Sequence, residues 1–290
     1  MNEMGEDFYS TALFQIAEVK PLKPELNEIL EFYESVFKVQ REAERLFNSG
    51  QNDIDYTSFA GRNGEGLSLL KPEDIQLDIE PVNNILEEMS GIIRNKWKEQ
   101  IPADFNCRFL SEQKGVLVEG LMEDEVLLER MAGDLDIDYP VFYFLIKNAF
   151  SPFISNYAEK LQEAVEEKKW LKGNCPVCGS EPLIIRLVEE TGKRKLFCSM
   201  CRTEWLYKRL ACPFCENDDH ESLRYFFVED DEARRVDVCD KCKRYIKTID
   251  NRKINKVTNL FVEYLSTLAL DIVADKEGFR GGDIFLFSEK

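Results

Sequence analysis

Eight of the nine cysteines of this chain occur between residues 175 and 242, in four pairs that share the spacing C-x2-C. Two thiolates at this spacing converge on one ion, and two such turns of chain complete a tetrahedron of sulfur. The chain therefore predicts two metal sites of four cysteines each. The predicted ligands are Cys175, Cys178, Cys198, Cys201, Cys212, Cys215, Cys239 and Cys242.

The segments between the cysteine pairs indicate which pairs share a site. Residues 183–188 and 194–197 have the composition of two strands around a turn at Thr191-Gly192, and residues 223–228 and 234–238 repeat this pattern around an acidic turn. Because a hairpin brings its own ends together, we expect the first pair to meet the second and the third to meet the fourth. An interleaved pairing is the alternative for a metal protein, and four disulfides or scattered buried thiols are the alternatives without metal.

A site closed by four thiolates has no open coordination position, so it is structural or transfers electrons. Soft thiolates in a tetrahedron suit both zinc and iron, and the spacing does not distinguish them. His220 is the only histidine, and this scarcity of general bases argues against an enzyme. We therefore predict no catalytic residue. The lone Cys107 is expected to be a buried apolar side chain, and Trp205 and Tyr207 either form a partner-facing patch or pack beneath the second cysteine pair.

Charge and hydropathy restrict the class of partner. The formal net charge of the 290-residue chain is −17. Residues 175–250 hold 14 Lys and Arg against 15 Asp and Glu, so nearly all of the negative charge lies elsewhere. An acidic chain disfavours binding to a phosphate backbone. No apolar stretch is long enough for a membrane span, and the start lacks the basic and apolar segments of a signal peptide. These features, with paired free thiols, predict a cytoplasmic protein without membrane insertion.

Apolar residues at helical spacing dominate the remainder of the chain. We predict helices over about 8–19, from Pro24 to about 47, from Pro81 to about 97, over 111–121 and over 123–131. A largely apolar helix is expected to run from Tyr139 to about Trp170, with a kink or restart at Pro152, and a last helix to span 257–274.

The cysteine motifs resemble those of a known family. CPVCGSEP, CSMCRTEW and CDKCKRYIKT occur in an order and at separations similar to those of FdhE, the formate dehydrogenase accessory protein family. The resemblance extends from about residue 135 to the end and includes the segments SPFISNYAEKL and LSTLALDIVADKEGFR. The sequence departs from the family pattern at Arg202 and Glu216, where the family commonly has glycine after the second cysteine.

The resemblance implies a fold and a function. The fold is α+β: a helical domain (1–172), two rubredoxin-like, zinc-ribbon-like metal ribbons (173–210 and 211–250), and a C-terminal helix and tail (251–290). Each ribbon holds one Fe or Zn ion. The implied function is that of a metal-binding maturation protein, or chaperone, for molybdenum-containing respiratory formate dehydrogenases. Its implied partner is the catalytic subunit in the cytoplasm, before export.

Two other functions remain open on the sequence. The first is a rubredoxin-type electron carrier, which needs iron and a reversible one-electron couple. The second is a nucleic-acid-binding zinc-ribbon protein, which the local charge balance opposes.

Overall fold

A computed structural model describes residues 7–49, 59, 61–97, 100–188, 190–227, 231–254 and 258–281. Its first part is helical, and its second part is a mixed β-sheet followed by two short helices. The α+β fold predicted from the sequence is confirmed. None of the helices in the described part of the chain combines the length and the apolarity that a membrane crossing needs.

The helical part contains seven α-helices within the described residues. The first begins at Phe8, where the Asp7 carboxylate caps it by accepting from the Ser10 N–H at 2.9 Å. The predicted helices over 8–19 and 24–47 are present, the second with a short 3-10 turn at its start. The bounds are α1 Phe8–Val19, α2 Asn27–Ser49, α3 Ile79–Lys96, α4 Cys107–Glu112, α5 Lys114–Met122, α6 Glu125–Asp134 and α7 Tyr139–Leu161.

Helix α7 is the centre of the helical part. It is apolar on nearly all sides, and Phe142, Phe150 and Phe153 have no exposed surface. Pro152 lies within one continuous helix. The prediction that this helix continues to Trp170 is wrong, because α7 ends at Leu161 and only a 3-10 turn follows. Val165 is the only apolar residue between Ala164 and Trp170, so a helix there would have almost no apolar face to bury.

The strands of the described residues form one six-stranded sheet in the order β3-β2-β1-β6-β5-β4. The hairpin β1–β2 and the hairpin β4–β5 occur where the sequence predicted them. Strands β3 and β6, which follow the second and fourth cysteine pairs, were not predicted. The bounds are β1 Pro182–Val188, β2 Lys193–Cys198, β3 Glu204–Leu206, β4 Leu223–Phe227, β5 Arg234–Cys239 and β6 Arg244–Asp250.

The two hairpins belong to one sheet because β1 pairs with β6 in parallel, from Ile184 opposite Lys247 to Leu187 opposite Asp250. Strand β6 also pairs with β5 in the antiparallel direction. Every residue of β6 after Arg244 is buried, including Lys247, Thr248 and Asp250. Because three of its buried residues are polar, the hydrophobic pattern of the sequence does not identify β6 as a central strand.

The division of the chain into four segments, 1–172, 173–210, 211–250 and 251–290, stays a prediction.

The predicted C-terminal helix is two helices, α8 Leu260–Leu265 and α9 Leu268–Lys276. Its predicted first residue, Val257, lies outside the described residues. Ser266 and Thr267 separate the two helices. The Ser266 hydroxyl donates to the Val262 carbonyl, and the Thr267 hydroxyl donates to the Glu263 carbonyl at 2.9 Å. Hydroxyls that bond to carbonyls one turn earlier weaken a helix locally.

A buried lysine ties these two helices to the sheet. Lys247 has no exposed surface, and its Nζ donates to the Tyr264 carbonyl at 2.7 Å and to Asp271 Oδ2 at 2.6 Å. The Tyr245 hydroxyl donates to the other oxygen of Asp271 at 2.7 Å. Burial lowers the pKa of Lys247 to about 8, although Asp271 opposes this shift.

We expect Lys247→Met to lower the free energy of unfolding by about 3 kcal/mol, because it leaves the Asp271 carboxylate without its buried cation. Lys247→Met with Asp271→Leu should recover much of the loss, since no charge is then left unpaired. Chemical denaturation followed by circular dichroism measures both. A double variant less stable than Lys247→Met alone would contradict this account.

Candidate metal centres

The structure brings the eight predicted ligands together in two groups of four. Within each group the Sγ atoms all lie within 4.8 Å of one another. The first cluster is Cys175, Cys178, Cys198 and Cys201; the second cluster is Cys212, Cys215, Cys239 and Cys242. Each cluster joins the two ends of one hairpin, as predicted, and the pairs are not interleaved.

The sulfur separations fit a tetrahedral ion. In the first cluster Sγ–Sγ distances are 3.5 Å for Cys175 and Cys201 and 3.4 Å for Cys178 and Cys198. Two such distances in the second cluster are both 3.7 Å. A metal–sulfur bond of about 2.3 Å requires a separation of roughly 3.8 Å in a tetrahedron. All nine cysteines are free, so disulfides do not explain the spacing.

The same local backbone presents each pair of thiols. In the first cysteine pair, the N–H of Gly179 donates to the Cys175 carbonyl at 3.0 Å. The N–H of Glu216 in the third pair and the N–H of Lys243 in the fourth make the same bond at 2.9 Å. The residue after the second cysteine has a positive φ in all four pairs, 78° at Gly179, 63° at Arg202, 57° at Glu216 and 58° at Lys243. The departures from glycine at 202 and 216 therefore do not change the turn.

The first cluster is fully enclosed. Its four cysteines are buried, and backbone N–H groups point at the sulfurs, with Met200 N 3.3 Å from Cys198 Sγ and Val177 N 3.4 Å from Cys175 Sγ. Burial raises the pKa of Cys175 and of Cys201. These two thiols therefore resist ionisation by themselves, and a divalent cation would stabilise their thiolates as the protons leave.

The helical part of the chain holds the first cluster in place. The N–H groups of Leu69 and Leu70 donate to the carbonyls of Pro176 and Val177 at 2.9 and 2.8 Å. From α7, the Ser151 hydroxyl donates to the Met200 carbonyl at 2.7 Å. Both cysteine turns of this cluster are thus hydrogen-bonded to residues of the helical part of the chain.

Arg202 makes a further connection between the first cluster and the helices. Its guanidinium lies 4.1 Å from the Phe8 ring centre and 4.4 Å from that of Tyr9, and it donates to the Tyr9 hydroxyl. It also lies 3.6 Å from the Glu44 carboxylate. An arginine here supplies contacts with α1 and α2 that glycine would lack.

The second cluster lies nearer the surface, since Cys215 and Cys242 are half-buried. The linker before it is held by Arg194, which donates to the Ala211 carbonyl at 2.6 Å, and by the Tyr207 hydroxyl, which donates to the Cys212 carbonyl at 2.9 Å. Gly173 lies against Pro213, where a Cβ would come within 1.7 Å of the Pro213 carbonyl oxygen. The turn around Pro213 in the second cluster therefore packs against the segment at Gly173 that leads into the first cluster.

Other residues singled out in the sequence lie outside the clusters. His220 is exposed and belongs to neither. Cys107 is buried, with its sulfur 3.7 Å from the Ser90 hydroxyl. Trp205 and Tyr207 are 0% and 6% exposed, so they pack beneath the cysteine turns and do not form a partner-facing patch. The exposed aromatic residues near the second cluster are Tyr225 and Phe227, which sequence reasoning missed because strand position alone does not reveal the covered face.

We expect Glu216→Gly to raise the free energy of unfolding by up to about 1 kcal/mol, because glycine adopts positive φ without steric cost. Arg202→Gly should lower it by about 1–3 kcal/mol, since the contacts with Tyr9 and Glu44 are lost. Denaturant titration of the two matched variants gives both values. A similar increase in the free energy of unfolding for both variants would show that the positive φ of the turn, not the contacts of the Arg202 side chain, decides.

The difference in burial predicts two rates of metal loss. Under an excess of a chelator, the ion of the second cluster should leave at least roughly tenfold faster than that of the first, since opening a surface site disturbs fewer packed residues. Cys215→Ser should abolish the fast phase and leave the slow one. A single phase that releases both ions together would contradict the distinction.

Comparison with known proteins gives the relatives of this chain. Residues 174–209 match the family model described as FdhE, central domain, and residues 210–287 match FdhE, C-terminal domain. The Protein FdhE homolog of Aquifex aeolicus is 28% identical over 96% of this chain and 95% of its own length. That of Haemophilus ducreyi is 32% identical over 58% of this chain and 54% of its own length.

A solved structure is similar over nearly the whole fold. The crystal structure of the FdhE protein from Pseudomonas aeruginosa aligns with a TM-score of 0.62 at 22% identity, over 96% of this chain and 93% of that one. The two matched domains include both four-cysteine clusters. The chain is therefore similar to FdhE proteins over nearly its whole length, and both of its cysteine clusters lie in segments that match FdhE domains.

Proposed function

We propose that each four-cysteine cluster binds one iron or zinc ion through its four sulfurs. The sulfur separations of 3.4–3.7 Å support this, as they approach those of a tetrahedral thiolate site. The ion would join the two ends of a hairpin that has little apolar core of its own. With four protein ligands each centre is closed, so the chemistry that the ion supplies is cross-linking or electron transfer, not Lewis-acid catalysis.

We further propose that the chain is an accessory protein for formate dehydrogenase. The matches to the FdhE domains and the similarity to FdhE proteins, together with the CPVCGSEP, CSMCRTEW and CDKCKRYIKT motifs, support this assignment. In this proposal it binds the catalytic subunit of a molybdenum-containing respiratory enzyme in the cytoplasm and assists its assembly before export. The closed geometry of both cysteine clusters carries the proposal that it acts by binding and is not an enzyme.

A rubredoxin-type electron carrier is the second candidate. One observation favours it: Cys215 and Cys242 of the second cluster are half-buried, so an ion there would lie close to the surface from which an electron must leave. Anaerobic purification separates the candidates. Iron with a reversible one-electron couple in the second cluster would support a carrier, whereas zinc in both clusters would exclude it.

Binding of the catalytic subunit is the central test. We expect the purified chain to co-purify with the formate dehydrogenase catalytic subunit from the same organism. Cys198→Ser with Cys201→Ser should lose this binding, since the first cluster holds the sheet against the helices. Cys107→Ser, which changes a buried cysteine outside both clusters, is the matched control.

The readouts are the stoichiometry of the complex and formate dehydrogenase activity in a strain that lacks this chain. Restored activity with the wild-type chain and with Cys107→Ser, but not with the double variant, is the expected result. Full restoration by the double variant, or the absence of any complex with the wild-type chain, would refute the proposal.

A further inference from the structure

The β-sheet is covered unequally on its two faces at the β4 edge. On one face, Val236 and Val238 of β5 pack against Leu270 and Ala274 of α9. On the opposite face, Ile185 and Leu196 of the central strands join the core of the helical part. This second cover does not reach β4, so Tyr225 and Phe227 are 59% and 50% exposed. The two side chains point to the same face because they are two residues apart.

A groove lies between this bare end of the sheet and the linker before the second cluster. We call it the β4 groove and define it by Arg209, Leu210, Phe214, Tyr225, Arg235 and Arg244. Leu210 is 65% exposed. The volume is about 90 Å³, whereas small-molecule sites hold roughly 300–1,000 Å³. The β4 groove therefore has room for one or two side chains, not for a cofactor or metabolite.

The β4 groove is rich in arginine, although the chain as a whole is acidic. Arginines 194, 209, 224, 235 and 244 line it, with Asp237 as the acidic residue and with two cysteines of the second cluster. Arg224 and Arg244 are already paired with Asp240 and Glu181. Asp237 already accepts from Arg235 at 2.8 Å and lies 3.5 Å from Arg194. Arg209 is exposed and has no ion pair among the described residues. A segment that complements this groove therefore carries a carboxylate, placed at Arg209.

Two of the other arginines present flat guanidinium faces and aromatic surface together. The Arg235 guanidinium lies 4.6 Å from the centre of the Tyr225 ring, and the Arg244 guanidinium lies 3.7 Å from that of Phe214. Tyrosine and arginine are both enriched among the residues that contribute most to binding at protein interfaces. An apolar side chain that packs on them costs these groups little conformational entropy, because the contacts between rings and guanidinium groups already restrict both.

Strand β4 also offers backbone groups. It is the last strand of the sheet, paired with β5 on one side and with no strand on the other within the described chain. An open edge of five residues can accept an added strand, with backbone hydrogen bonds supplying affinity and alternate side chains supplying specificity. The edge lies directly beside the β4 groove, because Tyr225 belongs to both.

We propose that the β4 edge and the β4 groove together bind an extended peptide segment of a partner protein. The segment pairs with β4, places an apolar side chain on Tyr225 and Leu210, and places an Asp or Glu side chain at Arg209. This inference does not rest on the partner being a formate dehydrogenase subunit, so either proposal can fail while the other holds.

A displayed library of random nine-residue peptides, selected on the metal-loaded full-length protein, tests the proposal. We expect enrichment of peptides that alternate apolar and polar residues and contain Asp or Glu. An enriched peptide, labelled with fluorescein and followed by anisotropy, should bind Arg209→Glu at least about tenfold more weakly, a loss of about 1.4 kcal/mol. Tyr225→Ser should weaken it by a similar factor.

Matched variants on other elements control for general effects. Arg45→Glu on α2 and Phe14→Ser on α1 change residues that are also exposed but do not line the groove. Both should bind the peptide as the wild type does. Hydrogen exchange should show new protection of backbone amides within residues 223–227 when the peptide is bound.

Several results would overturn the proposal. These are no enriched peptide, an enriched set rich in Lys and Arg, or affinity that Arg209→Glu and Tyr225→Ser leave unchanged. Displacement of the peptide by a single-stranded twelve-nucleotide DNA at lower concentration than by unlabelled peptide would assign the groove to nucleic acid. A wild-type dimer that Tyr225→Ser converts to monomers, without peptide binding, would assign it to a second copy of the chain.

Discussion

Strand β1 pairs in parallel with strand β6, from Ile184 to Leu187, and the two four-cysteine hairpins form one sheet through this contact. Both strands are central and buried, which is typical of parallel pairing. The pairing places β6 beneath α8 and α9, where Lys247 reaches Tyr264 and Asp271. It also leaves β4 as the outermost strand on one side. The burial of the first cluster, the anchoring of the C-terminal helices and the open edge of the sheet therefore have a common origin.

The two clusters have the same turns but different surroundings. The first is enclosed by residues from the helical part, including Leu69, Ser151 and the aromatic pair under Arg202. The second is held by the linker and by hairpin β4–β5, and two of its thiols are half-buried. An ion in the first cluster would serve to connect the sheet with the helices. An ion in the second would lie beside a surface that carries exposed aromatic and basic groups.

This asymmetry is consistent with a protein that acts through contact with another protein. The acidic charge of the chain lies mostly outside residues 175–250, while the β4 groove concentrates arginines around Tyr225. A partner that binds at the β4 groove would therefore meet basic groups on a molecule that is acidic elsewhere. Such an arrangement favours a defined orientation in the complex over simple attraction.

The eight cysteines, their division between two hairpins and the α+β order of the chain followed from the sequence, because C-x2-C spacing and hairpin closure are local constraints. The approximate helix positions followed from apolar periodicity for the same reason. The early end of α7 has a local cause in the mostly polar residues between Ala164 and Trp170, and so has the break at Ser266, where hydroxyls bond to carbonyls one turn earlier. The burial of Trp205 and the exposure of Tyr225 were decided by the tertiary structure. Both residues lie on strands, and they differ in whether other parts of the chain cover the sheet face to which they point. The union of the hairpins depends on pairing between residues more than sixty positions apart, and β6 contains buried Lys247, Thr248 and Asp250. Asp250 accepts from Arg252, two residues later. Lys247 and Thr248 instead donate to Asp271 and Asp237 on other elements, and no pattern within the strand encodes those distant partners.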